Sequence, residues 1–165
     1  MDARDEREPK RTKHRTTVEP KSEREIVITR TFDAPARIVF EAWTKAELFQ
    51  RWWIPKSAGL KLLSCEMDVR VGGGYRLLFE REGAEPMAFF GTYTEVIPPS
   101  RIVWTNEESG EDGATTTVTF EEKDGKTLLV MRELYRSKEA RDAGLASGAY
   151  DGMGETFEQL DELLA

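Results

Sequence analysis

Alternating apolar and polar residues dominate the middle of the chain. From residue 62 to 135 the period is two: Leu63, Cys65 and Met67, for example, alternate with polar residues at 64, 66 and 68. This pattern is typical of a sheet that is buried on one face and wet on the other. The same period, or an Asp-Gly turn between apolar runs, predicts further strands over 87–97, 101–107, 115–123 and 126–135. Short connections favour an antiparallel meander of about six strands.

A strand and two short helices are predicted ahead of this region. The run 26–32 is β-branched and alternating, and helical spacing follows it over 38–43 and again over 44–53. Trp52 and Trp53 are adjacent, so they cannot both face one core. We expect one of them to pack inside, while the other lies at the surface or at a cavity mouth, where it either gates access for a ligand or covers the sheet edge.

The last part of the chain returns to helical spacing. An apolar stripe runs from Leu145 to Leu164, with acidic residues on the remaining faces. Four glycines at 144, 148, 152 and 154 weaken such a helix by roughly 0.8–1 kcal/mol each relative to Ala. Either the helix approaches a sheet or a ligand closely at these positions, or it is kinked or begins late, near Ala149.

The first 24 residues differ in composition from the rest. They are almost all polar or charged, and such a segment cannot bury enough apolar surface to offset the entropy of ordering. The sequence therefore predicts a disordered charged arm over 1–24 and one domain over 25–165. The basic run 10–15 could contact an acidic partner or nucleic acid, although a solvated tail is the simpler interpretation. A net charge of −7 disfavours general nucleic-acid binding.

The chain holds one Cys and one His, which limits its chemistry. We expect no internal disulfide, no metal site and no cofactor. A trio of Cys65, His14 and Asn106 has the residue types of a cysteine hydrolase, but His14 falls in the predicted arm and Cys65 on a buried face. No apolar run reaches the ~18–20 residues of a membrane span, and the charged N-terminus is unlike a signal peptide, so we expect a cytoplasmic protein that does not bind membranes.

The order of these elements predicts an α+β fold. A curved antiparallel sheet wraps a long C-terminal helix, and two short helices after the first strand close the far end. The space between sheet and helix is either filled by side chains or left open as a ligand cavity. The bulky residues expected to line it are Trp52, Met67, Phe79, Phe89, Tyr93, Trp104, Met131, Met153 and Phe157.

Catalysis in such a cavity would be general acid–base catalysis by a buried ionisable group. The polar candidates on strands with mixed faces are Tyr93, Glu95, Asn106, Arg132, Glu133 and Tyr135. Because the strand over 128–135 is apolar on both faces, its alternation leaves open which of Arg132 and Glu133 points inward. A surface or structural role is the alternative for each residue, and none is assigned as catalytic.

A series of short motifs resembles one known family. They stand in order at Arg30–Pro35, Val39–Thr44, Trp52–Pro55, Asp68–Gly73, Gly91–Pro99, Arg101–Asn106 and Phe157–Leu164. Together they resemble the proteins similar to the activator of the heat-shock-chaperone ATPase, within the START, polyketide-cyclase and birch-pollen-allergen (SRPBCC) superfamily. The resemblance implies a helix-grip fold and commonly an apolar cavity. Superfamily members bind lipids and other hydrophobic molecules, cyclise polyketides, or have no known activity.

Three functions remain open from the sequence. The leading hypothesis is a binding protein for a small hydrophobic or aromatic molecule. The second is a cyclase- or hydrolase-type enzyme, which requires an ionisable group inside the cavity. The third is a co-chaperone-like interaction module, which requires a domain packed solid and an exposed patch, and no chaperone-binding motif is recognised in the chain.

Overall fold

Eight antiparallel strands form one sheet in the part of the chain, residues 14–165, that this computed structural model describes. The strands are β1 (Thr17–Pro20), β2 (Glu25–Phe32), β3 (Leu60–Met67), β4 (Gly74–Arg81), β5 (Met87–Ile97), β6 (Arg101–Thr105), β7 (Thr115–Lys123) and β8 (Lys126–Leu134). Their spatial order is β1-β2-β8-β7-β6-β5-β4-β3, so β3 to β8 form the predicted meander and β2 pairs with its last strand. All pairs are antiparallel because each connection within the meander is a short turn or loop.

Four helices complete the described fold. They are α1 (Ala36–Thr44), α2 (Ala46–Phe49), α3 (Lys138–Ala146) and α4 (Met153–Leu164). The predicted α+β helix-grip class is confirmed, with the two short helices after β2 and a helical C-terminus against the sheet. The second short helix ends at Phe49, whereas the sequence predicts that it continues to residue 53. No helix among the described residues is long and apolar enough to cross a membrane.

The sheet starts earlier than composition predicts. Strand β1 pairs with 26–29 of β2, and Val18 packs against the core. His14 Nε2 lies 3.0 Å from Asp33 Oδ1. An edge strand needs only backbone pairing and one apolar contact, which a count of apolar residues does not detect. Residues 14–24 of the predicted arm therefore belong to the described fold, whereas residues 1–13 lie outside the described residues.

The C-terminal stripe is divided between two helices rather than one. Helix α3 ends near Gly148, whose φ of 82° is a left-handed conformation that glycine adopts without strain. Gly152 precedes α4, and a Cβ there would lie 2.8 Å from Pro55 Cγ. The helix therefore breaks and begins again late, as the second explanation of the glycines expects. The close approach at Gly152 is to Pro55, which lies outside the sheet.

Aromatic side chains join the helices to the sheet in the core. Phe157 of α4 meets Phe32 of β2 edge to face at 5.5 Å, and Phe40 of α1 meets Phe120 of β7 at 5.3 Å. Arg30, only 3% exposed, forms an ion pair with Asp161 and so also links β2 to α4. Helix α4 is thereby fixed on the sheet, and α3 is left to border open space.

Candidate functional site

Two adjoining cavities lie between the sheet and the helices. The smaller, which we call the inner chamber, has a volume of about 50 Å³ and is lined by Trp43, Phe49, Trp53, Met67, Tyr75, Leu77, Phe89, Tyr93, Trp104 and Asn106. The larger, the outer cleft, has a volume of about 550 Å³. Strands β7 and β8 contribute Ala114 and Glu133 to its walls, and α3 and the loop after it contribute Gly144 and Tyr150. Trp53, Phe89 and Asn106 border both spaces, so the chamber and the cleft meet there.

Six of the nine predicted lining residues border these spaces. Met67, Phe89, Tyr93 and Trp104 line the inner chamber, and Phe89, Met131 and Met153 line the outer cleft. The other three are packed in the core and line neither space: Trp52 is 0%, Phe79 1% and Phe157 0% exposed. Their expected place in the site is corrected here, because residue type alone does not separate a core aromatic from a wall aromatic.

The adjacent tryptophans have different environments, as expected. Trp52 is fully buried, and its Nε1 donates a hydrogen bond to the Ala42 carbonyl at 2.9 Å. Trp53 is half-buried and stacks on Phe49 with ring centroids 4.8 Å apart. Trp53 borders both the chamber and the cleft, so it lies at their junction.

Glu133 is the member of its strand pair that faces the site. Arg132 is exposed, whereas Glu133 lines the outer cleft and stands directly opposite Thr116 of β7. Thr116 Oγ1 donates to Glu133 Oε2 at 2.8 Å, and the Tyr150 hydroxyl donates to Glu133 Oε1 at 2.8 Å. Register with β7 therefore settles what the alternation leaves open.

The hydrogen bonds continue from Glu133 in both directions. On one side the Tyr135 and Tyr150 hydroxyls are 2.6 Å apart. On the other, Asn106 Nδ2 donates to Thr116 Oγ1 at 2.8 Å, and the Tyr75 hydroxyl donates to Asn106 Oδ1 at 3.2 Å. The network thus runs from the outer cleft to the inner chamber along its polar wall.

Burial governs the ionisation of this network. It raises the pKa of Glu133, against the lowering effect of the two hydroxyl donors, and the carboxylate of Glu108 adds to the rise. Burial likewise raises the pKa of Tyr135 and Tyr150, which are neutral phenols at physiological pH. Within residues 14–165 no Lys, Arg or His forms an ion pair with Glu133.

The remaining polar candidates lie in different parts of the structure, and not all of them border a cavity. Glu95 makes a partly exposed ion pair with Arg101 at 2.8 Å, away from both cavities. Tyr93 lines the inner chamber, where burial raises its pKa. Cys65 Sγ contacts Met67 Sδ at 3.6 Å and His14 bonds to Asp33, so neither is joined to Asn106 as a hydrolase trio requires. No group of metal-ligating side chains occurs in the part of the chain that the structure describes.

Sequence reasoning missed several members of the site. Tyr75 alternates with Leu77 and Phe79 on the inward face of β4, so its strand position could have indicated it. Tyr150 lies in the loop between α3 and α4 and carries no periodic signal. Gly144 matters through its lack of a side chain, because a Cβ there would lie 2.5 Å from the Tyr135 hydroxyl oxygen. That close approach holds α3 against the tyrosine pair.

The variant Glu133→Gln should be more stable than the wild type at about pH 8. The unfolded glutamate ionises near 4.3, and the buried one ionises at higher pH, so the native state loses stability as pH rises through the raised pKa. A neutral amide removes that loss and can still accept from Thr116 and donate to Tyr150. Thermal unfolding should show a gain of a few degrees, at about 2–4 °C per kcal/mol.

The same comparison near pH 3 should show no gain, because Glu133 is then protonated in both states. Glu121→Gln, at an exposed position on β7, is the control and should change little at either pH. Equal loss of stability in Glu133→Gln at both pH values would contradict the electrostatic explanation.

Comparison with known proteins supports this architecture. A structure from Rhodobacter sphaeroides matches with a TM-score of 0.82 and 24% identity, over 90% of this chain and 97% of that one. One from Nitrosomonas europaea matches with a TM-score of 0.78 and 22% identity, over 88% and 96%. A solution structure from Staphylococcus epidermidis matches with a TM-score of 0.73 and 28% identity, over 90% and 93%. These show the same fold.

The family comparison is more specific. No functionally curated protein matches the chain. The family described as activator of Hsp90 ATPase homolog 1-like protein matches residues 33–165, which include both cavities and the whole hydrogen-bond network. The chain therefore belongs to the family of activator of Hsp90 ATPase homolog 1-like proteins, as its motifs indicate.

Proposed function

We propose that the protein binds one small hydrophobic or aromatic molecule in the outer cleft, with part of that molecule reaching the inner chamber. The observation that carries this proposal is the cleft itself. Its volume of about 550 Å³ falls within the roughly 300–1,000 Å³ of small-molecule sites. The cleft is open to solvent on one side, so a small molecule can enter it without unfolding of the domain.

The walls have the composition that such an occupant needs. Trp53, Phe89, Met131 and Met153 supply apolar and polarisable surface around the cleft. Polar groups are few and converge on one wall, where Glu133 and Asn106 belong to a single hydrogen-bond network. A site with apolar walls and one polar side binds a ligand with one polar end and fixes its orientation.

A neutral fluorescent probe tests this function directly. N-phenyl-1-naphthylamine should bind the purified protein with a one-to-one stoichiometry and enhanced emission. Ala143→Trp should weaken that binding at least tenfold, because Ala143 is an exposed α3 residue that borders the cleft, and an indole there would occupy the space. Fluorescence titration gives both affinities.

Ala146→Trp is the matched control, since Ala146 is also exposed near the end of α3 but does not border the cleft. It should bind the probe like the wild type. Absence of probe binding to the wild type, or equal affinities for the two tryptophan variants, would contradict binding in the cleft. Native mass spectrometry of freshly purified protein would also reveal any molecule that is retained.

A second candidate function is acid–base catalysis in the same cleft. It is favoured by one observation, the buried Glu133 whose raised pKa keeps a proton available at higher pH than usual. The two candidates differ in what happens to the ligand, because a binding protein returns it unchanged and an enzyme releases a product. The interaction-module hypothesis requires a domain packed solid, and the open cleft weighs against it.

A further inference from the structure

We propose that the ligand carries a positively charged nitrogen on its hydrophobic or aromatic body, and that Glu133 receives this nitrogen inside the outer cleft. The inference rests on the proposed function and specifies the chemical class of the ligand. It follows from the sign of the charges around the cleft, from the hydrogen bonding of Glu133, and from the aromatic rings beside it.

Within residues 14–165, the charged residues that border the outer cleft all have the same sign. They are Glu108, Asp112, Glu133 and Glu139, and no Lys, Arg or His of this part of the chain borders the cleft. Overall composition does not explain this, since the chain holds 24 Lys and Arg against 31 Asp and Glu. Two cations of the segment between β8 and α3 are paired with other carboxylates: Arg136 with Glu111, and Lys138 with Asp142 at 2.9 Å. Arg24 Nε donates to the backbone carbonyl of Tyr135 at 3.0 Å. The cleft therefore presents a negative potential to whatever occupies it.

Glu133 is the deepest of these carboxylates and retains acceptor capacity. An ionised carboxylate offers about four lone-pair positions, and Glu133 uses two of them for hydroxyl donors, Thr116 and Tyr150. Glu133 is half-buried. Carboxylates withdrawn from water are normally paired with a cation, and this one has no ion pair in the described chain. A ligand ammonium group in the cleft would supply the missing positive charge and the missing donors together.

Aromatic rings beside the Glu133 carboxylate also favour the binding of a ligand ammonium group. Tyr135 and Tyr150 border the cleft next to Glu133, and Trp53 and Phe89 border it where it meets the inner chamber. Ring faces attract cations, most strongly where water is excluded. The cleft thus combines a carboxylate with aromatic surface, which are the two elements that bind substituted ammonium groups.

Other ligand classes fit these observations less well. A fatty acid or a phosphorylated molecule would bring a negative charge among four carboxylates, and this juxtaposition disfavours binding. A purely apolar ligand would leave Glu133 buried without a cation. A hydrophobic amine satisfies the charge, the remaining lone pairs and the apolar walls at once.

Three naphthalene probes of nearly equal size test the charge preference. They are 1-naphthylmethylammonium, 1-naphthylmethanol and 1-naphthoate, compared by isothermal titration calorimetry at about pH 7.5 and low salt. We expect the ammonium probe to bind at least tenfold more tightly than the alcohol, and the carboxylate probe to bind most weakly. Glu133→Gln should reduce the preference for the ammonium probe over the alcohol below threefold.

Matched variants separate the cleft from the overall charge. Glu121→Gln and Glu158→Gln remove one negative charge each at exposed positions outside the cleft, and both should keep the full ammonium preference. Glu108→Gln and Glu139→Gln lie at the cleft and should each reduce that preference by about twofold to fivefold, which tests the inference without altering Glu133.

The possible results are distinguishable. If the alcohol and N-phenyl-1-naphthylamine bind but the ammonium probe has no advantage, the charge inference is wrong and the binding function stands. If the ammonium preference survives in Glu133→Gln, the assignment to Glu133 is wrong. If no neutral probe binds, the binding function itself fails.

Discussion

Trp52→Ala should lower the free energy of unfolding by about 3–5 kcal/mol, the range found when a large aromatic side chain is removed from a core. Trp52 is 0% exposed, and its ring lies 4.9 Å from that of Trp43 and 5.2 Å from that of Phe49. The substitution creates a cavity among these rings and removes the hydrogen bond from Nε1 to the Ala42 carbonyl. Urea unfolding followed by far-ultraviolet circular dichroism measures the loss.

Trp53→Ala is the natural comparison because it removes the same side chain one residue later. Trp53 is half-buried at the junction of chamber and cleft, so its loss should cost clearly less stability, about 1–2 kcal/mol. Its main effect should be weaker binding of the neutral probe. Equal destabilisation by the two substitutions would contradict the division of roles between core and cavity wall.

The fold was predictable where local chemistry and the global pattern agree. Asp124 and Gly125 form a two-residue hairpin turn with φ angles of 55° and 78°, the left-handed pair that an Asp-Gly sequence favours. Strand 87–97 has the predicted bounds because its apolar and aromatic residues outweigh any turn signal. Strand β1 was not predictable in the same way, since its contacts come from β2 and not from its own composition.

The types of residue at the site were predictable from the sequence, but several of the particular residues that form it were not. Aromatic and Met residues were expected at the cavity. Trp104 and Phe157 are both buried, yet only Trp104 borders it. The inward orientation of Glu133 depends on its register with Thr116, which is a tertiary property. Tyr150 reaches Glu133 from a loop between two helices, where no periodic pattern exists. The polar wall is therefore defined by contacts between residues that are far apart in the sequence, and the spacing of residues along the chain does not predict these contacts.

Gly91→Ala should be among the most destabilising single substitutions that leave the cavity residues themselves intact. A Cβ at this position would lie 1.8 Å from the Thr105 carbonyl oxygen and 2.9 Å from Tyr75 Cε2. The first atom belongs to the backbone of β6 and cannot rotate away, so β5 and β6 must separate locally. We expect a loss of about 3 kcal/mol or more, at the upper end for overpacking.

The same substitution should also disturb the inner chamber. The Tyr75 hydroxyl oxygen lies 2.9 Å from the Thr105 carbonyl oxygen and 3.2 Å from Asn106 Oδ1, and its single proton can be donated to either. Displacement of Thr105 therefore moves the end of the polar network. Near-ultraviolet circular dichroism should change, and the neutral probe should bind more weakly.

Gly154→Ala provides the control for Gly91→Ala because the chemical change is identical and the surroundings are open. No atom lies within 4 Å of a Cβ at Gly154, which is in helix α4. Alanine there should stabilise the protein by up to about 1 kcal/mol, since it favours the helix more than glycine does. If Gly91→Ala unfolds at the same urea concentration as the wild type and binds the probe equally well, then the close approach of β5 to Thr105 is not what shapes the chamber wall. If the two glycine variants shift stability in opposite directions and Gly91→Ala also binds the probe more weakly, the lack of a side chain at Gly91 is a requirement of the site as well as of the sheet.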